Sequence, residues 1–423
     1  CPGRGARMSE PHLRQVLGAA AIGAGLVLRD VDLPAVPSDA QARADAASWG
    51  LAGDIAPTIV VLVDGLGLKM LHERLGHAPV LRSWLSATRT EPGPGPAAVT
   101  CVPSTTAAAL TTLGTGALPG ATGMVGYCVL NPLLGRNLPA GAVPEPGQNL
   151  SLISWEGPAP DPRRWQDVPT IFERLEPEPA HDAREQGAPL AVTVGPARFA
   201  GSGLTCAGLR GAPHLGADRL EDRPALAVGA LRRGTPLAYL YVGELDHIGH
   251  SHGWRSEQWL EQLERLDAAM AELERRAPAD TRIILTADHG MVDTAPDCRI
   301  DISADPVLAR DIVAVAGEPR FIQLHVPGSD PVLASEVAER WRSRLGERAL
   351  WIGTRGEAAQ LLGPVGRRAA GVLGDVLVAM SGAWVAVDPR IHSASAIAMV
   401  GVHGSLTRDE TAIPLLLVRA GSR

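Results

Sequence analysis

Three short segments of the chain are continuously apolar and end in an acidic residue close to glycine. They cover residues 58–65 (TIVVLVDG), 237–246 (LAYLYVGELD) and 282–290 (RIILTADHG). Runs of this length without polar alternation are typical of strands buried on both faces, as in a parallel sheet covered by helices. Functional groups collect beyond the carboxyl ends of such strands, so we expect Asp64, Asp246 and Asp288 to lie there.

Between these segments the apolar residues recur at helical spacing. Residues 257–275 carry the clearest stripe, with apolar positions three and four apart, at Leu260, Leu263, Leu266, Met270 and Leu273. This stripe predicts an amphipathic helix that packs on the core. Residues 104–113 (STTAAALTTL) predict a buried helix that is capped by Ser104 and Thr105 and ends at Gly114. The alternation favours an α/β fold with a mostly parallel central sheet and helices on both faces.

Length and the distribution of proline and glycine predict how the chain is divided. With 423 residues the chain exceeds the size at which a single core stops growing. We expect an N-terminal extension with a helical lead-in over residues 1–50 and a main domain over 51–423. Proline- and glycine-rich stretches favour inserted cap segments in the main domain, at about 132–235 and 304–395.

The first residues carry two further expectations. Met8 is a candidate for the first residue of the native protein, which makes residues 1–7 an upstream extension. The apolar run over residues 16–28 is shorter than the roughly 20 residues that a membrane span needs. We therefore expect no membrane association from this segment.

Composition narrows the class of partner. The formal net charge of -7 argues against nucleic acid polymers, because binding to them relies on basic surfaces that neutralise phosphates. The five cysteines are scattered and form no CxxC pair. This usage fits a reducing compartment, argues against a disulfide framework and a thiolate zinc site, and predicts a cytoplasmic protein.

Acidic residues and histidines occur near glycine in four motifs. They are VDG with Asp64, DHIGH with Asp246 and His250, ADHG with Asp288 and His289, and VHG with His403. A single acidic residue after a strand is more often a capping or loop residue. Carboxylate and imidazole groups together are the ligands that zinc prefers in catalytic sites. The combination predicts two metal ions held without cysteine.

The segment TAAALTTLGTG, which begins at Thr106, resembles the nucleophile helix of the alkaline phosphatase superfamily. In that helix a serine or threonine precedes a Thr-Gly pair by nine residues, as Thr106 precedes Thr115. The four motifs and the tail HGSLTRDETAIPLLL resemble the nucleotide pyrophosphatase/phosphodiesterase branch, in order. The resemblance covers about residues 58–130, 236–295 and 398–418.

The resemblance implies a role for each candidate residue. Thr106 is the expected nucleophile, because it precedes Thr115 by the nine residues that the resemblance requires. A threonine hydroxyl is a weak nucleophile, so its activation by a metal ion is expected. One zinc-type ion is expected at Thr106, Asp64, Asp288 and His289. The second is expected at Asp246, His250 and His403. The implied activity is cleavage of phosphodiester or pyrophosphate bonds in a small molecule, such as a nucleotide.

Two positions depart from the branch's pattern, which leaves other substrates open. Thr122 stands where a histidine is usual, and Tyr127 stands where an asparagine commonly contacts a phosphate oxygen. A tyrosine hydroxyl can donate the same hydrogen bond, so we expect Tyr127 to bind substrate. A phosphomonoesterase, a phosphonate hydrolase and an inactive binding relative remain the alternatives.

Two further residues invite a functional interpretation that we do not favour. Cys101 begins a CVPS segment that resembles the sulfatase modification motif. Thr105 stands where that motif needs arginine, and Cys101 precedes Thr115 by fourteen residues instead of nine. Arg320 is able to contact a phosphate, but an arginine in such a loop more often has a structural role.

Overall fold

The computed structural model describes residues 10–90, 93–134, 138–178 and 187–421. Met8 and the proposed upstream extension lie outside the described residues. In the described part of the chain the strands are β1 (Leu26–Leu28), β2 (Thr58–Val63), β3 (Ala97–Val99), β4 (Cys128–Leu130), β5 (Asn149–Ser151), β6 (Leu175–Pro177), β7 (Ala191–Gly195), β8 (His214–Gly216), β9 (Leu237–Val242), β10 (Arg282–Thr286), β11 (Val292–Asp293), β12 (Arg299–Asp301), β13 (Ala314–Glu318), β14 (Phe321–His325), β15 (Ala349–Thr354), β16 (Val376–Met380), β17 (Val385–Val387), β18 (Gly401–Val402) and β19 (Ala412–Arg419).

Helices connect most of these strands. Over the same described residues the α-helices are α1 (Leu13–Gly23), α2 (Asp39–Ser48), α3 (Leu68–Arg74), α4 (Pro79–Thr90), α5 (Thr106–Thr115), α6 (Pro119–Thr122), α7 (Pro162–Trp165), α8 (Ile171–Arg174), α9 (Gly203–Gly208), α10 (Arg223–Arg232), α11 (Glu244–His252), α12 (Glu257–Arg276), α13 (Pro306–Ala309), α14 (Pro331–Leu345), α15 (Ala359–Leu362), α16 (Arg367–Val372), α17 (Ala394–Ala398) and α18 (Arg408–Thr411).

The central sheet has seven strands in the order β3-β19-β10-β2-β9-β7-β8. Strands β10, β2, β9, β7 and β8 run parallel, while β19 and β3 add an antiparallel edge. Every residue of β2 and β10 is buried, as the continuous apolar runs predict. The mostly parallel sheet flanked by helices is thus confirmed, and its three predicted strands are the neighbours β10, β2 and β9.

The N-terminal apolar run forms a core helix. Helix α1 begins with a capping box in which the His12 ring accepts from the Arg14 backbone N–H and Gln15 bonds back to the His12 backbone. Residues Leu13, Val16 and Leu17 are fully buried in the main core. No helix among the described residues is both long and apolar enough to cross a membrane.

A second, smaller sheet lies within the segment that proline and glycine content set apart at 304–395. Its strands β13, β14, β16 and β15 are antiparallel, and α14 packs on it around a separate apolar core that contains Trp341. In the earlier segment, β7 and β8 join the central sheet beside β9. The proposed limits of both inserted segments stay predictions.

Helix α12 covers Glu257–Arg276 and confirms the predicted stripe, with Leu263, Leu266 and Leu273 fully buried.

The predicted end of helix α5 at Gly114 is wrong. Helix α5 continues through Gly114 to Thr115, and the C-cap that follows is Gly116, whose φ of 73° is left-handed. A Cβ on Gly114 would lie 1.8 Å from the Gly208 carbonyl oxygen, so this glycine permits close packing of α9 instead of ending the helix.

Candidate active site

The three aspartates lie beyond the carboxyl ends of neighbouring parallel strands. Asp64 directly follows β2, Asp288 follows β10 by two residues, and Asp246 lies in the first turn of α11 after β9. Gly65, with φ of 73°, allows the turn after β2 to approach Asp246, because an added Cβ would lie 3.0 Å from the Asp246 Cβ. The strand order therefore brings together residues that are far apart in sequence.

Two histidines face the Asp246 carboxylate. His250 lies one helical turn after it, with Nε2 3.2 Å from Asp246 Oδ2, and His403 Nε2 lies 3.8 Å from Asp246 Oδ1. The opposite ring nitrogens contact carbonyl oxygens, His250 Nδ1 at 2.8 Å from Gly401 and His403 Nδ1 at 2.9 Å from Ser104. Because a carbonyl only accepts, Nδ1 carries a proton in both rings, and Nε2 is the nitrogen that is left to bind an ion in place of a proton.

His289 occupies the corresponding position beside the other two aspartates. Its Nε2 lies 3.5 Å from Asp64 Oδ1 and 3.4 Å from Asp288 Oδ2, while Nδ1 lies 3.1 Å from the Gly290 carbonyl. Two groups have ligand atoms that all lie within 4.8 Å of one another: Asp64, Asp246 and His289, and Asp246, His250 and His403. Asp246 belongs to both groups, so the two sets of ligands adjoin.

The electrostatics of this cluster favour bound cations. Burial, then the carboxylates of Asp288 and Asp246, raise the pKa of Asp64 well above its usual value. Burial likewise raises the pKa of Asp288. Burial opposes ionisation of Asp246 as well, but His250 and His403 hold its pKa below the usual range. Ionised carboxylates this close repel one another unless a cation lies between them.

Unpaired oxygens provide the structural test of the metal-ligand assignment. Asp246 Oδ1 and Asp288 Oδ2 are buried and, within the described residues, accept no hydrogen bond. Such oxygens are costly to bury without a partner. With the free Nε2 atoms of the three histidines, they form a nitrogen and oxygen donor set that fits zinc-type ions.

Thr106 lies at the edge of the cluster, as the first residue of α5. Its Oγ1 is 3.2 Å from His289 Nε2 and 3.5 Å from Asp64 Oδ1.

The capping role predicted for the side chains of Ser104 and Thr105 is wrong. Thr105 holds the N-cap position without a side-chain cap bond, and the Ser104 hydroxyl donates instead to the Ser405 carbonyl. Ser104 therefore ties α5 to the loop that carries the VHG motif.

Cys101 lies near Thr106 in sequence but not in the cluster. Its side chain is buried, and burial raises the pKa of the thiol to about 12. A thiol with this pKa stays protonated and unreactive near neutral pH. Its environment agrees with the rejection of Cys101 as a functional residue.

The two positions that depart from the phosphodiesterase pattern have different environments. Tyr127 is half-exposed at the rim of a cavity that contains Thr106, and its backbone N–H donates to Glu318 Oε2 at 2.7 Å. Thr122 is buried in α6, where its hydroxyl bonds to the Pro119 carbonyl and accepts from the Met124 backbone. Of the two residues, only Tyr127 lines the cavity.

Two adjoining cavities open at Thr106. One, of about 660 Å³, contains the cluster, and the other, of about 470 Å³, is a more apolar slot. The residues that line both cavities are Thr106, Ile153, Arg198, Phe199 and Tyr241. Of these five, the predicted set contains only Thr106.

Tyr241 is a site residue that the sequence reasoning missed. Its hydroxyl donates to Asp64 Oδ2 at 2.5 Å, and this leaves Asp64 Oδ1 facing His289. The signal was present in LAYLYV, where Tyr239 and Tyr241 are the only hydroxyl-bearing residues of an otherwise apolar strand. Two tyrosines two apart point to the same face of a strand.

Comparison with known proteins identifies the family of the chain. The sequence model of the family "Type I phosphodiesterase / nucleotide pyrophosphatase" matches residues 58–406. Among curated protein sequences, none matches the chain significantly.

Solved structures with low sequence identity share the fold. Phosphonoacetate hydrolase from Sinorhizobium meliloti 1021, in complex with phosphonoformate, has a TM-score of 0.61 and 19% identity, over 86% of this chain and 89% of that chain. Murine ectonucleotide pyrophosphatase/phosphodiesterase 5 has a TM-score of 0.57 and 16% identity, over 85% of this chain and 87% of that chain. Because the family model matches most of the chain, the chain belongs to the type I phosphodiesterase/nucleotide pyrophosphatase family, and it is a phosphoester hydrolase.

Proposed function

We propose that this protein cleaves phosphodiester or pyrophosphate bonds in small molecules, with Thr106 as the nucleophile and two zinc ions as cofactors. The observation that carries the proposal is the position of Thr106 Oγ1, 3.2 Å from His289 Nε2 at the edge of a cluster of aspartates and histidines. The ligands that we propose for the two ions are Asp64, Thr106, Asp246, His250, Asp288, His289 and His403.

When bound, ions of this type supply positive charge that stabilises displacement at phosphorus. The chain's own residues orient the reactants. Tyr241 fixes the Asp64 carboxylate through its hydroxyl, and carbonyl contacts fix the rings of His250 and His403. Thr106 is the first residue of α5, so its hydroxyl lies beside the free backbone N–H groups of the helix N-terminus, which favour an anionic phosphate.

The proposed reaction proceeds in two displacements. The Thr106 oxygen loses its proton to solvent and forms a bond to phosphorus as the bond to the leaving alcohol or phosphate breaks, and the leaving group takes up a proton from solvent. The intermediate is a phosphodiester that joins Thr106 to the organic group that stays on phosphorus. Water then attacks the same phosphorus, and the bond to Thr106 breaks. We propose that Tyr127, at the rim of the cavity, donates a hydrogen bond to a phosphate oxygen, and that the apolar slot receives the organic group.

Two neighbours suggest substrate classes for the slot. Murine ectonucleotide pyrophosphatase/phosphodiesterase 5 has been solved as an inactive threonine-to-alanine variant in complex with AMP. This agrees with a threonine nucleophile and a nucleotide substrate here. The phosphonoacetate complex of the bacterial hydrolase supports the second candidate, a phosphonate hydrolase. No lysine or arginine occurs in residues 101–116 to neutralise a monoester dianion, so we place phosphomonoesters after diesters.

The cytoplasmic location expected from the sequence stays a prediction. Within the described residues, Cys101, Cys128, Cys206 and Cys298 are free thiols, which fits a reducing compartment.

The deciding experiment combines metal analysis with hydrolysis of bis-p-nitrophenyl phosphate. We expect about two zinc ions per chain and activity that chelation abolishes and zinc restores. Thr106→Ala should lower kcat by about 10³-fold or more while it retains most of the metal, because the other ligands remain. Cys101→Ala is the matched control and should keep wild-type activity. Activity that survives exhaustive chelation, or an active Thr106→Ala variant, would refute the mechanism.

The same preparations separate the alternatives. A kcat/KM at least tenfold higher for p-nitrophenyl phosphate than for the diester would assign the protein as a monoesterase. Release of inorganic phosphate from phosphonoacetate, faster than diester cleavage, would assign it as a phosphonate hydrolase. Tight zinc binding without turnover of any of the three substrates would favour an inactive binding relative.

A further inference from the structure

Arg198 is a positively charged residue at the wall between the two cavities, and it does not belong to the proposed metal ligands. Arg198 lies in the short turn Ala197–Phe199 that follows β7, and its side chain is exposed. It lines the cavity of the cluster and the apolar slot, together with Thr106. Its guanidinium carbon lies 4.8 Å from the centre of the Phe199 ring. This contact holds the planar group at the junction of the cavities.

The turn that carries Arg198 is fixed on both sides. The Ala197 backbone N–H donates to Asp218 Oδ1 at 2.9 Å, and the Pro196 carbonyl lies 3.1 Å from His214 Nε2. The Phe199 ring meets the Tyr241 ring edge to face, at 5.6 Å between centres. Since the Tyr241 hydroxyl bonds to Asp64, a continuous series of contacts relates Arg198 to the metal ligands.

Two arginines line the cluster cavity, and only one of them is committed to a protein partner. Arg223 is fully buried in a two-point ion pair with Glu244, at 2.6 and 3.0 Å. Arg198 makes no hydrogen bond or ion pair with any side chain in the described ranges. Its five N–H groups therefore remain available to a ligand.

We propose that Arg198 binds a second anionic group of the substrate, a phosphate or carboxylate adjacent to the phosphorus that reacts. The inference rests on the proposed function, which it narrows to substrates with two anionic groups. Two divalent ions among three ionised aspartates leave one net positive charge before Thr106 loses its proton. The ions therefore balance at most the single charge of a diester, and a second anion needs its own cation. A guanidinium suits this role, because its planar fork matches both phosphate and carboxylate oxygens.

The test is calorimetric and independent of turnover. Zinc-loaded Thr106→Ala and Thr106→Ala/Arg198→Ala proteins are titrated with two ligand pairs: AMP and ADP, which differ by a phosphate, and methylphosphonate and phosphonoacetate, which differ by a carboxylate. Loss of Arg198 should reduce the ADP to AMP affinity ratio, the phosphonoacetate to methylphosphonate ratio, or both, by tenfold or more. The pair that responds identifies the second anion.

Matched variants separate charge from geometry. Arg198→Lys keeps the charge without the fork and should restore part of the lost ratio, whereas Arg233→Ala, on an exposed residue away from both cavities, should change neither ratio. Unchanged ratios in Arg198→Ala, or no preference for the second anion in the parent variant, would overturn the inference. Wild-type hydrolysis of bis-p-nitrophenyl phosphate, measured in parallel, tests the proposed function separately, because that diester lacks a second anion.

Discussion

Two clusters of buried charge in this molecule have opposite character. In the first, at the edge of the central sheet, Asp246 Oδ1 and Asp288 Oδ2 are buried without a hydrogen-bond donor in the described structure. In the second, between the two sheets, Arg320 and Glu410 are fully buried and form a two-point ion pair at 2.6 and 3.0 Å. The first cluster is incomplete without a ligand, and the second is complete.

The hydrogen bonds of Glu410 make the contrast plain. One oxygen accepts from Arg320 and from the Ser405 backbone N–H at 2.9 Å, and the other accepts from Arg320 and from the Thr407 hydroxyl. Arg320 donates further to the Trp384 carbonyl at 2.6 Å. This confirms the structural interpretation of Arg320. A buried charge indicates a functional site when its partners are missing, and an architectural role when they are present.

The largest effect on activity is expected from Asp288→Asn in the first cluster. Burial raises the pKa of Asp288, so the ionised carboxylate destabilises the metal-free fold at pH values above its unfolded pKa of about 4. The asparagine removes that charge and keeps an oxygen for the Gly65 and His289 N–H groups. We expect activity to fall by about 10²-fold or more, and zinc affinity to fall as well. The metal-free protein should become about 1 kcal/mol more stable at pH 7.

Urea unfolding in the presence of a chelator, together with zinc titration, checks this prediction. At pH 3 the stability gain should vanish, because the wild-type carboxyl is then protonated in both states. A metal-free Asp288→Asn protein that is less stable than wild type at pH 7 would show that the first cluster is structural like the second.

The second cluster should respond in the opposite way. Arg320→Met leaves Glu410 buried without its cation, and we expect the free energy of unfolding to fall by about 3–5 kcal/mol. The double variant Arg320→Met/Glu410→Gln removes both charges and should recover much of this loss. Urea unfolding of the two single variants and the double variant measures the coupling. Additive losses in the double variant would contradict a paired, structural role.

The two clusters also differ in how far the sequence predicts them. Continuous apolar runs ending in Asp-Gly or Asp-His predict strands whose carboxyl ends meet, and the four-residue spacing of Asp246 and His250 places both on one face of a helix. These local signals were sufficient for the parallel sheet and for the aspartates and histidines that the structure brings together.

Other contacts depend on pairs that no local pattern contains. Arg320 and Glu410 are 90 residues apart, and Arg198 is placed by β7 and by contacts with residues 214 and 218. Gly114 resembles a helix stop because sequence does not reveal that α9 packs against it. Ser104 likewise resembles a cap because its partner, Ser405, is 301 residues away. Long-range packing overrode the local preference at both positions.

Glu318 is intermediate between the two clusters, and its predicted effect is confined to the pH dependence of stability. One of its oxygens accepts from the Tyr127 backbone N–H, while Oε1 is buried and, in the described residues, has no hydrogen-bond partner. Burial, only partly offset by that hydrogen bond, raises the pKa of Glu318 to about 8. Between pH 4.5 and 8 the folded protein therefore keeps a proton on Glu318, whereas the same carboxyl in the unfolded chain, with a pKa near 4.5, has lost it.

The sign of the pH dependence follows from this difference. A raised carboxyl pKa makes the folded state relatively most stable below pH 4.5, and the free energy of unfolding then falls by about 1 kcal/mol per pH unit as the pH rises toward 8. Glu318→Gln has no proton to lose, so it should remove this slope and gain on wild type between pH 5 and 8. Urea midpoints at pH 5, 6.5 and 8 measure the slope, with Glu261→Gln, on an exposed residue of α12, as the control. Parallel curves for wild type and Glu318→Gln would mean that Glu318 is ionised and has a partner, and would place it with Glu410 among the completed charges.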